Sequence, residues 1–136
     1  MTTPAVLPHV DAVTDALETA GLVVYVGGAP PGVSPTATTP YVVLYPEPGR
    51  AMTASLGDNR TDFSAVVQLT CVGLTAGQAM SVSDRAIAAL SVVLTVAGRA
   101  SWKPEPLDGQ PVQRDDDVVP PCFYAPSRYR LRSIPL

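Results

Sequence analysis

A chain of 136 residues with 46% hydrophobic and 15% charged residues describes one globular domain, 1–136, long enough to bury a core. Its net charge of -3 argues against a free-standing nucleic-acid binder, which is normally basic. The longest lipid-like run, 13 residues between Arg85 and Arg99, falls short of the roughly 20 that a membrane-spanning helix needs, so no membrane partner is expected.

Charge is unevenly distributed. No Lys or Arg precedes Arg50, whereas Asp11, Asp15, Glu18 and Glu47 do; beyond Gly98 there are six cations and five acids. Such polarity suits head-to-tail association, though a solvated surface is the commoner explanation. Cys71 and Cys122 are the only cysteines, with no CxxC and no Cys/His cluster, so neither a disulfide nor a metal site is expected. The N-terminus has no basic region followed by an apolar run, which argues against a signal peptide.

The first helix is expected to start near Pro8, whose missing N–H is harmless in a first turn. Val10, Val13, Leu17 and Ala20 recur at helical spacing, Asp11 falls in the first turn, and Gly21 suits the position just past the end. The outer face carries Asp11, Asp15 and Glu18 with no cation to offset them. It reads either as a solvated acidic face or as a patch for a basic partner.

Leu22 to Val26 and Tyr41 to Tyr45 are short apolar runs that do not alternate, as in strands covered on both faces. Between them lies a Gly/Pro-rich loop, 27–40, with no phosphate-loop pattern. A second connection, 46–61, contains Gly57-Asp58-Asn59, where an arm through Ala51 to Leu56 could turn back into Phe63 to Val72; a mobile loop is the equal alternative. Phe63, Ala65, Val67, Leu69 and Cys71 then alternate with Ser64, Val66, Gln68, Thr70 and Val72, which predicts a half-buried strand. Gly73 breaks it and Thr75 offers a helix cap. The following helix is expected to run towards Gly98, burying Met80, Ile87, Leu90 and Leu94 with Ala86 and Val93 at the flanks.

A third loop is expected from Gly98 to Cys122, broken by prolines 104, 106, 111, 120 and 121, with Val112-Gln113-Arg114 as a short strand and Asp115-Asp116-Asp117 as a turn. In the return strand Pro126 disfavours a central position, placing the good strand from Ser127 or at an edge. There Tyr129 and Leu131 face in, and Arg128, Arg130 and Arg132 face out at about 6.8 Å spacing. The arginine row reads as protection of an edge strand, as a partner for a neighbour's carboxylates, or as a contact for phosphates.

Chemistry is sparse. The only histidine, His9, reads as a surface residue at a helix terminus, and no HExxH, GxSxG, P-loop or EF-hand pattern is present. No catalytic residue, cofactor or metal ion is expected, and the chain is read as non-enzymatic. The expected fold is α+β: a mostly antiparallel sheet of four to five strands with two helices on one face, in the order α-β-β-β-α-β(-β), with long Pro-rich loops. Two helices cover one face of such a sheet, so the second face is covered either by long loops or by another subunit, and partial cover by another subunit is expected.

This order of elements, carried by Val10 to Val26, Pro40-Tyr41-Val42-Val43-Leu44, Phe63 to Leu90 and Tyr129 to Arg132, resembles the tail terminator (tail completion) proteins of long-tailed bacteriophages. The prolines after Gly98 depart from the cleaner strands of that family. The resemblance implies a structural virion protein of the tail or neck, assembled in the host cytoplasm. It would form a ring, expected to be hexameric, that caps the tail tube, ends its polymerisation and joins it to the head connector. Its partners would be further copies, the major tail tube protein, a head-completion or stopper connector protein, and genomic DNA crossing the lumen without sequence-specific binding. On this reading Arg128, Arg130 and Arg132 meet Asp11, Asp15 and Glu18 of a neighbour, or line the lumen. Another neck component, or a small cellular ligand-binding domain, is the alternative.

Overall fold

The computed structural model describes residues 4–52 and 62–136. The chain runs α1 (Val6–Thr19), β1 (Val23–Val26), β2 (Tyr41–Pro46), β3 (Arg50–Met52), β4 (Asp62–Gly73), α2 (Ala76–Ala89), β5 (Arg99–Ser101), β6 (Glu105–Gly109), β7 (Gln113–Asp115) and β8 (Cys122–Pro135). The fold is α+β, as expected. The main path of the sheet is β1-β2-β4-β8-β5, with β3 added on β4 and β6 and β7 added on β8.

β4 and β8 form the spine, paired antiparallel from Phe63↔Ser133 to Gly73↔Phe123. Strict alternation in β4 sends Phe63, Ala65, Val67, Leu69 and Cys71 to the helical side, all buried. Val42 and Leu44 of β2, and Ala125, Tyr129 and Leu131 of β8, join them beneath Val13 and Leu17 of α1, Val82 and Ala86 of α2, and Leu90 just after it. The opposite face holds a smaller cluster of Tyr41, Val43, Val72 and Cys122.

Among the described strands only β1 and β2 pair in parallel. Parallel strands need a crossover of a dozen or more residues, usually a helix. Here the Pro-rich loop 27–40 is that crossover, and it lays Ala29 and Val33 over the second face. Gln78 holds it there: its side-chain amide donates to the carbonyls of Thr36 and Ala37 at 2.8 and 3.0 Å. The same side chain accepts the Leu74 N–H at 2.6 Å, while the Thr75 hydroxyl caps α2 by accepting the Gln78 N–H at 3.1 Å.

Several expectations need correcting. α1 starts at Val6, so Pro8 sits inside its first turn and Asp11 lies beyond it. β1 is an edge strand, with Val23 and Val26 exposed. α2 ends at Ala89, well before Gly98, and buries Ala79, Val82 and Ala86, leaving Met80 and Ile87 half exposed. Small residues let the helix lie close on the sheet, and the β-branched Val92, Val93, Thr95 and Val96 are poor helix formers. Leu94 and Val96 are buried from a loop instead.

The expected third loop contains three short strands, of which only the one near Val112-Gln113-Arg114 was expected, found as β7. β5, β6 and β7 follow β8 antiparallel, with Pro104 and Pro111 in the gaps between them and a bulge between Pro106 and Asp108 inside β6. β8 is therefore interior, and Pro126 lies in its middle. The Pro126 carbonyl accepts the Gln110 N–H at 2.9 Å. Its nitrogen faces the same side, into the gap between β6 and β7, so no ladder bond is lost. The base of the second arm pairs as β3 with β4; the Gly57-Asp58-Asn59 turn lies outside the described residues.

Gly73 ends β4 where α2 crosses closest. A Cβ there would stand 2.6 Å from the Ala79 nitrogen, a backbone atom that cannot yield cheaply. Gly73→Ala is expected to lower stability by about 1–3 kcal/mol, read as a lower midpoint in urea denaturation; an unchanged midpoint would show that α2 shifts freely.

Candidate assembly surfaces

His9 is not a surface residue. It is 2% exposed, stacks on the Phe63 ring with centroids 3.8 Å apart, and fastens α1 to the last strand. Nδ1 donates to the Ala5 carbonyl at 2.7 Å, which leaves Nε2 of the neutral ring as an acceptor for the Ser133 hydroxyl at 2.6 Å. The Ser133 oxygen in turn accepts Arg99 Nε at 2.7 Å. Each donor in this chain has an acceptor, and an imidazolium would turn Nε2 into a donor and take away the acceptor of the Ser133 hydroxyl proton. Burial lowers the His9 pKa first, with the Arg99 charge adding to the effect and the Ala5 bond opposing it. The site is a structural clasp with no group to activate.

The arginine row occupies the sheet face away from the helices. Tyr129 and Leu131 alternate with it into the core, as expected. Interior placement of β8 removes the edge-protection reading. What the sequence did not reveal is a row of acids on β6. Register sets Asp108 opposite Arg128 and Glu105 opposite Arg130. Arg128 Nε donates to Asp108 at 2.9 Å, and Glu105 lies 3.9 Å from Arg130 and 4.0 Å from Arg132. The Asp108 hydrogen bond is the main cause raising the Arg128 pKa, and Glu47 adds to it. Glu47 also lines a hollow of about 270 Å³ with Ser64, Val66 and Arg130. Three guanidinium groups thus face three carboxylates. The pairs are exposed and contribute little to stability individually.

Asp11, Asp15 and Glu18 stay exposed on α1, on the other side of the sheet. No described residue forms an ion pair with them. A single chain does not bring these acids to the arginine row. The second sheet face is left partly open, with a concavity of about 520 Å³ over Tyr41, Tyr45, Thr70 and Tyr124. Cys71 is buried in the core, and desolvation pushes its thiol up to about 12, which makes it unreactive. Among the described residues no three His, Cys, Asp or Glu side chains converge on a metal-sized space, and no helix is long and apolar enough to cross a membrane.

No protein-family model and no curated protein matches the chain. Among solved structures it is similar to a chain of the virion of a native gene transfer agent particle, with a TM-score of 0.62 and 19% sequence identity, over 91% of this chain and 92% of that one. The two share a fold from end to end.

Because the His9 pKa lies below its ordinary 6.5, the unfolded chain takes up the proton first as pH falls. The clasp's contribution is complete above pH 6.5 and declines as pH drops towards the folded value, by about 1.4 kcal/mol per unit of separation. Melting of the parent chain between pH 7.5 and 5 is therefore expected to lose more stability than that of His9→Gln; parallel curves for the two would overturn the neutral assignment.

Proposed function

We propose that this chain is a structural virion protein of the tail or neck, in the role of a tail terminator. It closes into a ring, expected to be hexameric, that caps the tail tube, stops tube polymerisation and presents a platform to the head-completion or stopper connector. The observation that carries this reading is the fold shared with a gene transfer agent virion chain over nine-tenths of both molecules. The order of elements noted from the sequence also supports it. Genomic DNA would cross the lumen without sequence-specific binding.

A ring requires a heterologous interface, in which one patch meets a different patch on the next copy. The acidic face of α1 and the Arg128/Arg130/Arg132 row lie on opposite sides of each subunit, as that geometry demands. Two steps test the reading. The purified protein is mixed with tail tubes, and capped tube ends are sought by negative-stain imaging; a tail terminator binds there, whereas a head-completion or stopper protein leaves bare tube ends bare. The second step is the triple reversal Asp11→Lys, Asp15→Lys, Glu18→Lys. These acids have no ion pair among the described residues, so the melting temperature is expected to hold while rings disperse. A sedimentation coefficient unchanged from the parent ring would exclude α1 from the interface.

A further inference from the structure

Two features of the surface are unlike anything else on it. Trp102 is the chain's one tryptophan, and it is 54% exposed. It follows β5, held by its own N–H donating to the Arg132 carbonyl at 3.1 Å, so the backbone beneath the indole is fixed. Lys103, the chain's one lysine, is exposed beside it. A rigid, exposed indole next to a flexible cation is costly surface for a monomer and a frequent anchor in protein interfaces.

The second feature is a groove of about 450 Å³ between α1 and the end of α2. Its lining is rich in alanine, with Ala12 and Ala16 from α1, Ala20 just after it, and Ala88 and Ala89 from α2; Ala12 and Leu94 are buried, and Asp15 is the one charged group that lines it. Val92 and Val93 also line it, 53% and 57% exposed. The alanines keep it wide and shallow enough for a flat ring, and no described side chain of its own copy fills it.

We propose that Trp102 and Lys103 of one copy dock into the α1–α2 groove of the next, the indole on the alanine-rich lining and the ammonium group against Asp15. The inference rests on the ring reading above and gives that ring its anchoring contact. Charge selects the occupant. Asp15 is followed along the exposed face of α1 by Asp11 and Glu18, none of them in an ion pair with a described residue, while Trp102 stands next to Lys103 and opposite Arg132. Other exposed apolar knobs are disfavoured: Val118 and Val119 follow three aspartates, which Asp15 would repel. The concavity on the second sheet face is a poorer seat, because its acid, Asp115, already accepts the Asp117 N–H at 3.0 Å and its lining includes Gln68, Thr70 and Gln110. Knob and groove are different patches, so the contact is heterologous and propagates around a ring.

A lone tryptophan makes the contact directly visible. Emission of the parent chain is expected to move to shorter wavelength as it assembles, free or on tail tubes. Trp102→Ala and Ala88→Arg, both at exposed positions, are expected to keep their melting temperatures and to need at least about 30-fold more protein to assemble. Mixed together they are expected to form a pair that grows no further, since only one knob and one groove remain intact. Rings that persist in both variants would overturn the docking and leave the ring reading standing. A dimer with shifted emission, dispersed by Ala88→Arg, would support the docking and overturn the ring. Emission that shifts on adding tube protein, and shifts as far in Ala88→Arg, would assign Trp102 to the tube and overturn the second-copy occupant. A parent chain that stays monomeric with unshifted emission, free and on tubes, would overturn both.

Discussion

The antiparallel ladder between β4 and β8 is the constraint on which the remaining structure depends. Its register runs unbroken through eleven residue pairs. A slip of one residue would send Leu69, Tyr129 and Leu131 to the wrong face and the arginines into the core, so one alignment is strongly preferred. Everything else is hung on that ladder. β2 extends it on one side and β5 to β7 on the other, while the two helices cover the face that the register makes apolar. Its far end is secured by His9, which ties the start of α1 to Ser133 across nearly the whole length of the chain. N- and C-terminal segments are thereby joined, and the alternation of Arg128, Arg130 and Arg132 with core residues becomes a fixed geometric fact about the second face.

Much of this was legible in the sequence, and the failures have identifiable causes. Period-two patterning located β4, Thr75 and Gly73 located the start of α2, and Gly21 marked the end of α1. These are signals carried by neighbouring residues. Ala86, Leu90 and Leu94 are buried as expected, but Met80 and Ile87 were placed in the same stripe because they outrank Ala79 in hydrophobicity, whereas close packing on a sheet favours the smaller residue. In the segment after Gly98 only the short strand near Val112-Gln113-Arg114 was legible, and β5 and β6 were read as loop because prolines forbid a regular strand; they permit a broken one where each gap faces a missing donor, as at Pro126. His9 was assigned to the surface because its partners, Ser133 and Phe63, are remote in sequence. Glu105 and Asp108 could have been paired with the arginines had the Pro-rich run been laid antiparallel along β8.

The expected surplus of apolar surface exists, but it is distributed differently. Loop 27–40 replaces the usual crossover helix and covers part of the second face, and the arms of β6 and β7 narrow what remains. Exposed apolar side chains are found also on the helical side, at Met80, Ile87, Val92 and Val93, besides those at Val118, Val119, Leu136 and Trp102. A layer of short helices with alanine-rich contacts leaves its outer valleys unfilled, because the helices approach the sheet more closely than they approach each other. The helical layer is thus the better place for a neighbour to supply cover.

Charge balance on the opposite face bears on how DNA could pass such a ring. A wall of three unpaired arginines would condense phosphates and hold them, with affinity rising with each contact. Here Asp108, Glu105 and Glu47 stand among the same three guanidinium groups, so the field a passing phosphate meets is close to neutral at short range. On the proposed reading that arrangement suits either position of the row. Facing the lumen, it would let DNA slide without being gripped; facing a neighbour, it would give way only to acids closer or drier than its own. Desolvation decides between these, since a partner's carboxylates gain over Asp108 and Glu105 only where subunit contact excludes water.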